Sequence, residues 1–75
     1  ALGRFFYNLL TDSRVASFIY QLTDADRDYY IDNYIPDSDP NKWRTKIKNY
    51  LSSNPAKWKT HAYHESHIHV SLVSQ

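Results

Sequence analysis

The chain has 75 residues, a formal net charge of +1, 41% hydrophobic and 16% aromatic residues, one glycine, and neither cysteine nor methionine. A chain of this length buries only about 60% of the surface its unfolded form exposes, which leaves room for one small core and excludes a large catalytic cleft. The lack of cysteine excludes disulfide frameworks and thiolate metal sites, so stability has to come from packed Trp, Tyr, Phe, Leu and Ile.

In chain order, Leu2, Phe5, Phe6, Leu9 and Leu10 recur at helical spacing and predict a short helix or docked arm within residues 1–10. Thr11 or Asp12 can cap a following helix in which Val15, Phe18, Ile19 and Leu22 fall at i, i+3, i+4 and i+7, one apolar stripe. Thr23 followed by Asp26 resembles a capping box, and the early aspartates suit the positive end of a helix dipole, so a helix is expected over about 24–35. Its inward face would be Tyr30, Ile31, Tyr34 and Ile35, and Pro36 stops it by pushing the preceding residue out of the helical region. Asp39 is placed as the N-cap of a third helix, with Pro40 at the first helical position, where a missing N–H costs nothing. In that helix Trp43, Ile47, Tyr50 and Leu51 point one way, and Ser52 to Pro55 ends it.

The period then changes to two. His67 to Leu72 alternates polar and apolar, Trp58 to Tyr63 does so compatibly, and a hairpin with its turn at His64-Glu65-Ser66 is expected. That register pairs Tyr63 with His67, Ala62 with Ile68, His61 with His69, Thr60 with Val70 and Trp58 with Leu72. Trp58, Ala62, Ile68, Val70 and Leu72 would face inward, and Lys59, His61, Tyr63, His67 and His69 outward. No repeat or low-complexity segment interrupts the pattern. One domain is expected, with an arm over 1–10, a helical core over 11–53 and a hairpin over 56–74.

Charge is strongly partitioned. Residues 24–39 carry six aspartates against Arg27, a balance of −5, whereas residues 42–59 carry Lys42, Arg44, Lys46, Lys48, Lys57 and Lys59 with no acid, a balance of +6. Cations interleaved with Trp43, Tyr50 and Trp58 match a nucleic-acid face; the plainer reading is a solvated helix whose charge is answered by the acidic helix beside it. The fold class is therefore α+β and mostly helical. Three helices, the third basic, followed by a hairpin give the element order of a winged helix, in which the third helix enters the major groove and the wing reaches the adjacent backbone.

The run Trp43-Arg44-Thr45-Lys46-Ile47-Lys48-Asn49-Tyr50-Leu51-Ser52-Ser53-Asn54 resembles the recognition-helix signature of forkhead domains in its Trp, Ile, basic, Leu-Ser and Asn spacing. The resemblance covers about a dozen residues and implies a winged-helix architecture and DNA binding. Forkhead domains place their base-contacting Asn and Arg-His pair where this chain has Thr45, Lys48 and Asn49. Asn49 is suited to adenine, and Lys48 to guanine or phosphate. Lys42, Arg44, Thr45, Lys48 and Asn49 on the third helix, with Lys57, Lys59 and His61 on the wing, are the expected contacts to double-stranded DNA. The alternative is a protein-interaction or dimerisation module built on the acidic helix.

Four histidines fall within nine residues. In the hairpin register His61, His67 and His69 share one face, a plausible zinc set with Glu65 as a fourth ligand; the plainer reading is an exposed, titrating wing. His67-Ile68-His69 also resembles the His-hydrophobic-His strand motif of rolling-circle replication nucleases, which implies, as a third reading, metal-dependent phosphodiester chemistry. There is no glycine-rich phosphate loop, cysteine nucleophile or Gly-x-Ser-x-Gly elbow, so a non-enzymatic module without a cofactor is expected. No apolar run approaches the length of a membrane span or signal core, and an intracellular location is expected, nuclear in a eukaryote and cytoplasmic otherwise. A start at Ala1 with no methionine suggests an excised or processed segment.

Overall fold

In the computed structural model, which describes residues 1–74, the apolar stripe expected to be a helix over 11–22 is a strand, β1 (Val15–Ile19). Helix α1 (Leu2–Thr11) ends at Asp12, whose Oδ1 accepts the Arg14 backbone N–H at 2.9 Å. This is an Asx turn, not an N-cap, and it sends the chain out extended. The carboxylate is also gripped by the Arg14 guanidinium, Nη2 to Oδ2 at 2.7 Å. The pairing then shifts between Val15 and Ser17, leaving Ala16 as the extra residue of a β-bulge. The bulge turns Val15 and Phe18 to the same side, and both are buried. Their i, i+3 spacing imitates a helix for that reason.

The expected hairpin is replaced by a different sheet. Strand β2 (Trp58–Lys59) runs parallel to one edge of β1 and β3 (His69–Leu72) antiparallel to the other, in the order β2-β1-β3. Phe18 pairs with both Trp58 and Val70, and Ile19 with both Lys59 and His69. The two C-terminal strands do not pair because the chain between them is diverted. Gln21, held at φ +85°, donates from its N–H to His64 O at 2.6 Å and accepts from the His61 N–H at 3.0 Å. Residues 60–68 therefore form a loop in place of the Thr60–Val70, His61–His69, Ala62–Ile68 and Tyr63–His67 pairings. Of the inner face expected for the hairpin, Trp58 is fully buried and Ile68 half-buried, whereas Ala62, Val70 and Leu72 are exposed.

Helix α2 (Asp24–Tyr34) begins as its capping signal predicts, with the Asp26 N–H donating to Thr23 Oγ1 at 3.1 Å and the Thr23 hydroxyl donating to Asp26 Oδ2 at 2.9 Å. It ends before Pro36. Ile31 and Ile35 are buried and Tyr30 half-buried, but Tyr34 faces solvent. Helix α3 (Trp43–Ser53) starts three residues later than Pro40, after Lys42 in the left-handed region at φ +50°, and the carboxylate that reaches its first turn is Asp37 and not Asp39. Asp37 Oδ1 accepts the Thr45 N–H at 2.9 Å, an amide of the first turn. The Ile47 and Leu51 side chains are buried, with Trp43 and Tyr50 half-buried beside them.

These elements meet around Trp58. Its ring stacks on Phe6 with centroids 4.7 Å apart and planes 8° from parallel, and lies 5.0 Å from Phe18. The indole N–H donates to Tyr20 O at 3.0 Å, so the ring is buried without leaving its one donor unpaired. No buried side-chain N or O lacks a partner among the described residues.

Candidate nucleic-acid interface

Helix α3 has two unlike flanks. On the α2 flank, cations are paired with groups of the neighbouring helix. Arg44 Nε donates to Ile35 O at 3.0 Å and so satisfies a carbonyl at the C-terminal end of α2, where a positive charge also complements the helix dipole. Lys48 forms an ion pair with Asp32 of α2. Thr45 is occupied by Asp37 through both its N–H and its hydroxyl, each at 2.9 Å. Those two bonds, the N–H first, hold the Asp37 carboxyl below the usual carboxylate range. The shallow depression on this side is mixed in charge, with Arg27, Asp28, Asp32 and Lys48 in its lining.

On the α1 flank the helices approach until Gly3 meets Trp43, so closely that a Cβ on Gly3 would overlap the Cβ and ring of Trp43. Tyr7 lies beside Trp43 at 5.6 Å between centroids, and Lys46 Nζ stands 4.9 Å from the Trp43 ring centre. From here a depression lined by Tyr7, Lys46, Asn49, Tyr50, Ser53 and Asn54 runs along α3. A second one, toward β1 and β2, shares Ser53 and Asn54 with it and adds Ser17, Ala56, Lys57 and Lys59. Together they form one trough with lysines at both ends, hydroxyls and amides between, and no carboxylate in the lining.

The expected contact residues therefore separate. Asn49, Lys59 and His61 are exposed as anticipated. Lys42 is exposed too, with its Nζ 3.8 Å from Asp39 Oδ1. Lys57 lines the trough with its stem, but its Nζ turns inward to Asp12 O, at 3.1 Å, and to Val15 O. It is a brace between the end of α1 and the start of β1. Arg44 is half-buried, and Thr45, although exposed, has its N–H and hydroxyl engaged by Asp37. Lys46, Tyr7, Ser53 and Asn54 are the lining residues that the sequence expectation missed. The available signal was the position of Lys46 three residues after Trp43, which puts its ammonium over the Trp ring.

The histidines do not share a strand face. His61, His64 and His67 lie in the 60–68 loop and His69 opens β3, so the His67-Ile68-His69 run is a strand only at its last residue. His64, outside the expected metal set, is the common neighbour, with ring centroids 5.8 Å from His61, 4.8 Å from His67 and 6.2 Å from His69.

Two further groups have shifted acidities. The Asp12 carboxyl is lowered to about 2, first by the side-chain hydrogen bond from Arg14 and then by the Arg14 backbone N–H. The Tyr30 hydroxyl is pushed up to about 12, first by burial and then by the neighbouring Tyr20. Among the described residues no helix is long and apolar enough to cross a membrane. No protein-family model matches the chain, and no curated protein or solved structure is significantly similar to it.

Proposed function

We propose that the chain is a nucleic-acid-binding module of winged-helix type that grips duplex DNA mainly by its phosphates. The supporting observation is the trough beside α3, which presents Lys46 and Lys59, offers Asn49, Ser53 and Asn54 as hydrogen-bonding groups, and has no carboxylate in its lining to repel a phosphate. The element order, α1-β1-α2-α3-β2-β3, favours the same reading, with the 60–68 loop in the wing's place. Asp37, lying against the first turn of α3, would repel phosphate at the helix N-terminus, so the contact runs along the middle and C-terminal part, Lys46 to Asn54.

The test is fluorescence anisotropy with a labelled duplex across a salt series. Lys46→Ala and Lys59→Ala should each weaken binding to all sequences alike and reduce the slope of log K against log salt by about 1. No binding at low salt overturns the reading.

A second reading, a protein-interaction module, is favoured by Tyr29 and Tyr34. They stand 63% and 59% exposed on α2 among its aspartates. It predicts association that rises with concentration in sedimentation equilibrium and is indifferent to DNA.

A further inference from the structure

The 60–68 loop gathers imidazoles around His64 at separations that have chemical meaning. Two imidazoles bound through one nitrogen each to a tetrahedral zinc at about 2.0–2.1 Å place their ring centres roughly 5 Å apart. His64 lies 4.8 Å from His67, 5.8 Å from His61 and 6.2 Å from His69 by the same measure. The His64–His67 pair already has the spacing of two imidazoles on one ion, and His61 and His69 each lie within about 1 Å of that spacing from His64. As the rings stand, no three imidazole or carboxylate groups among the described residues converge on one metal position. His61, His67 and His69 are exposed side chains, free to turn about their χ angles, whereas His64 is half-buried and fixed.

The fixing of His64 is the second observation. Its Nδ1 lies 2.8 Å from Ala62 O. A carbonyl oxygen only accepts, so this contact is a hydrogen bond when Nδ1 carries the proton, and the lone pair is then on Nε2. Backbone carbonyls hold metal-binding imidazoles in this way, setting the tautomer and the ring orientation before the ion arrives. The loop is itself tied down at the same residue, since His64 O accepts the Gln21 N–H at 2.6 Å.

We propose that His64 is the anchor of a binding site for a borderline divalent cation such as Zn2+, with Nε2 of His64, an imidazole nitrogen of His67 and one of His69 or His61 as protein ligands. Neutral nitrogen donors select zinc, nickel or copper over magnesium and calcium, which prefer oxygen. The site lies outside the α3 trough, so it stands or falls apart from the nucleic-acid reading.

Isothermal titration of the whole chain with zinc chloride in a non-chelating buffer tests it. The expected result is saturable binding of one equivalent, a rise in melting temperature at saturation, and no heat with magnesium chloride. His64→Ala and His67→Ala should each weaken binding tenfold or more, whereas Lys46→Ala should leave it unchanged. His67 is exposed, so its variant keeps the test valid if His64→Ala disturbs the loop. Binding that does not saturate near one equivalent, or that both histidine variants retain at wild-type strength, overturns the proposal.

Discussion

The two flanks of α3 use their cations in opposite ways. Toward α2, Arg44 and Lys48 are answered by a carbonyl and a carboxylate, and Asp37 closes over Thr45. Toward α1, a glycine–tryptophan contact closes the gap between the helices and leaves Lys46 against an aromatic face without an acid beside it. A charge count along the chain treats both sets alike. What separates them is whether an unpaired backbone carbonyl or an acidic helix lies within reach, which only the packing decides.

The contrast is most severely tested at Gly3. Gly3→Ala gains about 1 kcal/mol of helix propensity, but its methyl group meets the base of the Trp43 side chain, which cannot swing aside, and overpacking costs about 1–3 kcal/mol. The expected net result is a loss of up to about 2 kcal/mol in urea unfolding; a stabilised variant would mean that α1 and α3 separate freely. Arg44→Met keeps the stem and removes the bond to Ile35 O, with an expected loss of about 1–2 kcal/mol and no direct change in a DNA contact. If Arg44→Met folds normally and binds DNA more weakly, the internal role assigned to this flank fails.

Acid acts on the same side. The carboxyls of Asp37 and Asp12 titrate lower in the folded chain than in the unfolded one, where the usual value is near 3.9. What they contribute is therefore present in full above the unfolded value and is lost as pH falls through their lowered folded values, which for Asp12 lies at about 2. Asp37→Asn should accordingly destabilise modestly at neutral pH, and its difference from wild type should shrink as the pH of a thermal melt falls through that window. An unchanged difference would remove Asp37 from the account. Tyr30, shifted the other way, contributes stability that is full below about pH 10 and declines toward about pH 12. The smallest effect belongs to Lys46→Ala, which should alter stability by no more than about 0.5 kcal/mol while weakening DNA binding.

Much of the helical part of the fold was legible in the sequence. The Thr23–Asp26 cap, the stop at Pro36 and the inward set Ile31, Ile35, Ile47 and Leu51 follow from local chemistry, and the structure has them there. β1 was not legible, because a bulge at Ala16 gives Val15 and Phe18 the spacing of a helix, and an Asx turn at Asp12 uses the same side chain as an N-cap. Strand pairing failed for a related reason. Period-two alternation marks residues 58–63 and 67–72 as extended without naming their partner, and the partner, β1, lies 40 to 57 residues upstream. In the candidate site, Asn49 and Lys59 were visible as exposed polar residues. The diversion of Arg44 and Lys57 to carbonyls was not, since an acceptor on another element leaves no mark in the local sequence.

The central position of β1 has a kinetic consequence. Its two neighbours are β2 and β3, so each rung of the sheet joins residues 15–19 to residues at 58–59 or 69–72. Rungs that span so much chain require large loops to close before any ladder bond rewards them, which raises contact order and slows folding. During synthesis, the three helices can emerge and begin to pack while β1, with Phe18 unburied, waits as a bare strand. The β1–β2 rungs need Trp58–Lys59, and the sheet is complete only once His69–Leu72 has joined the other edge.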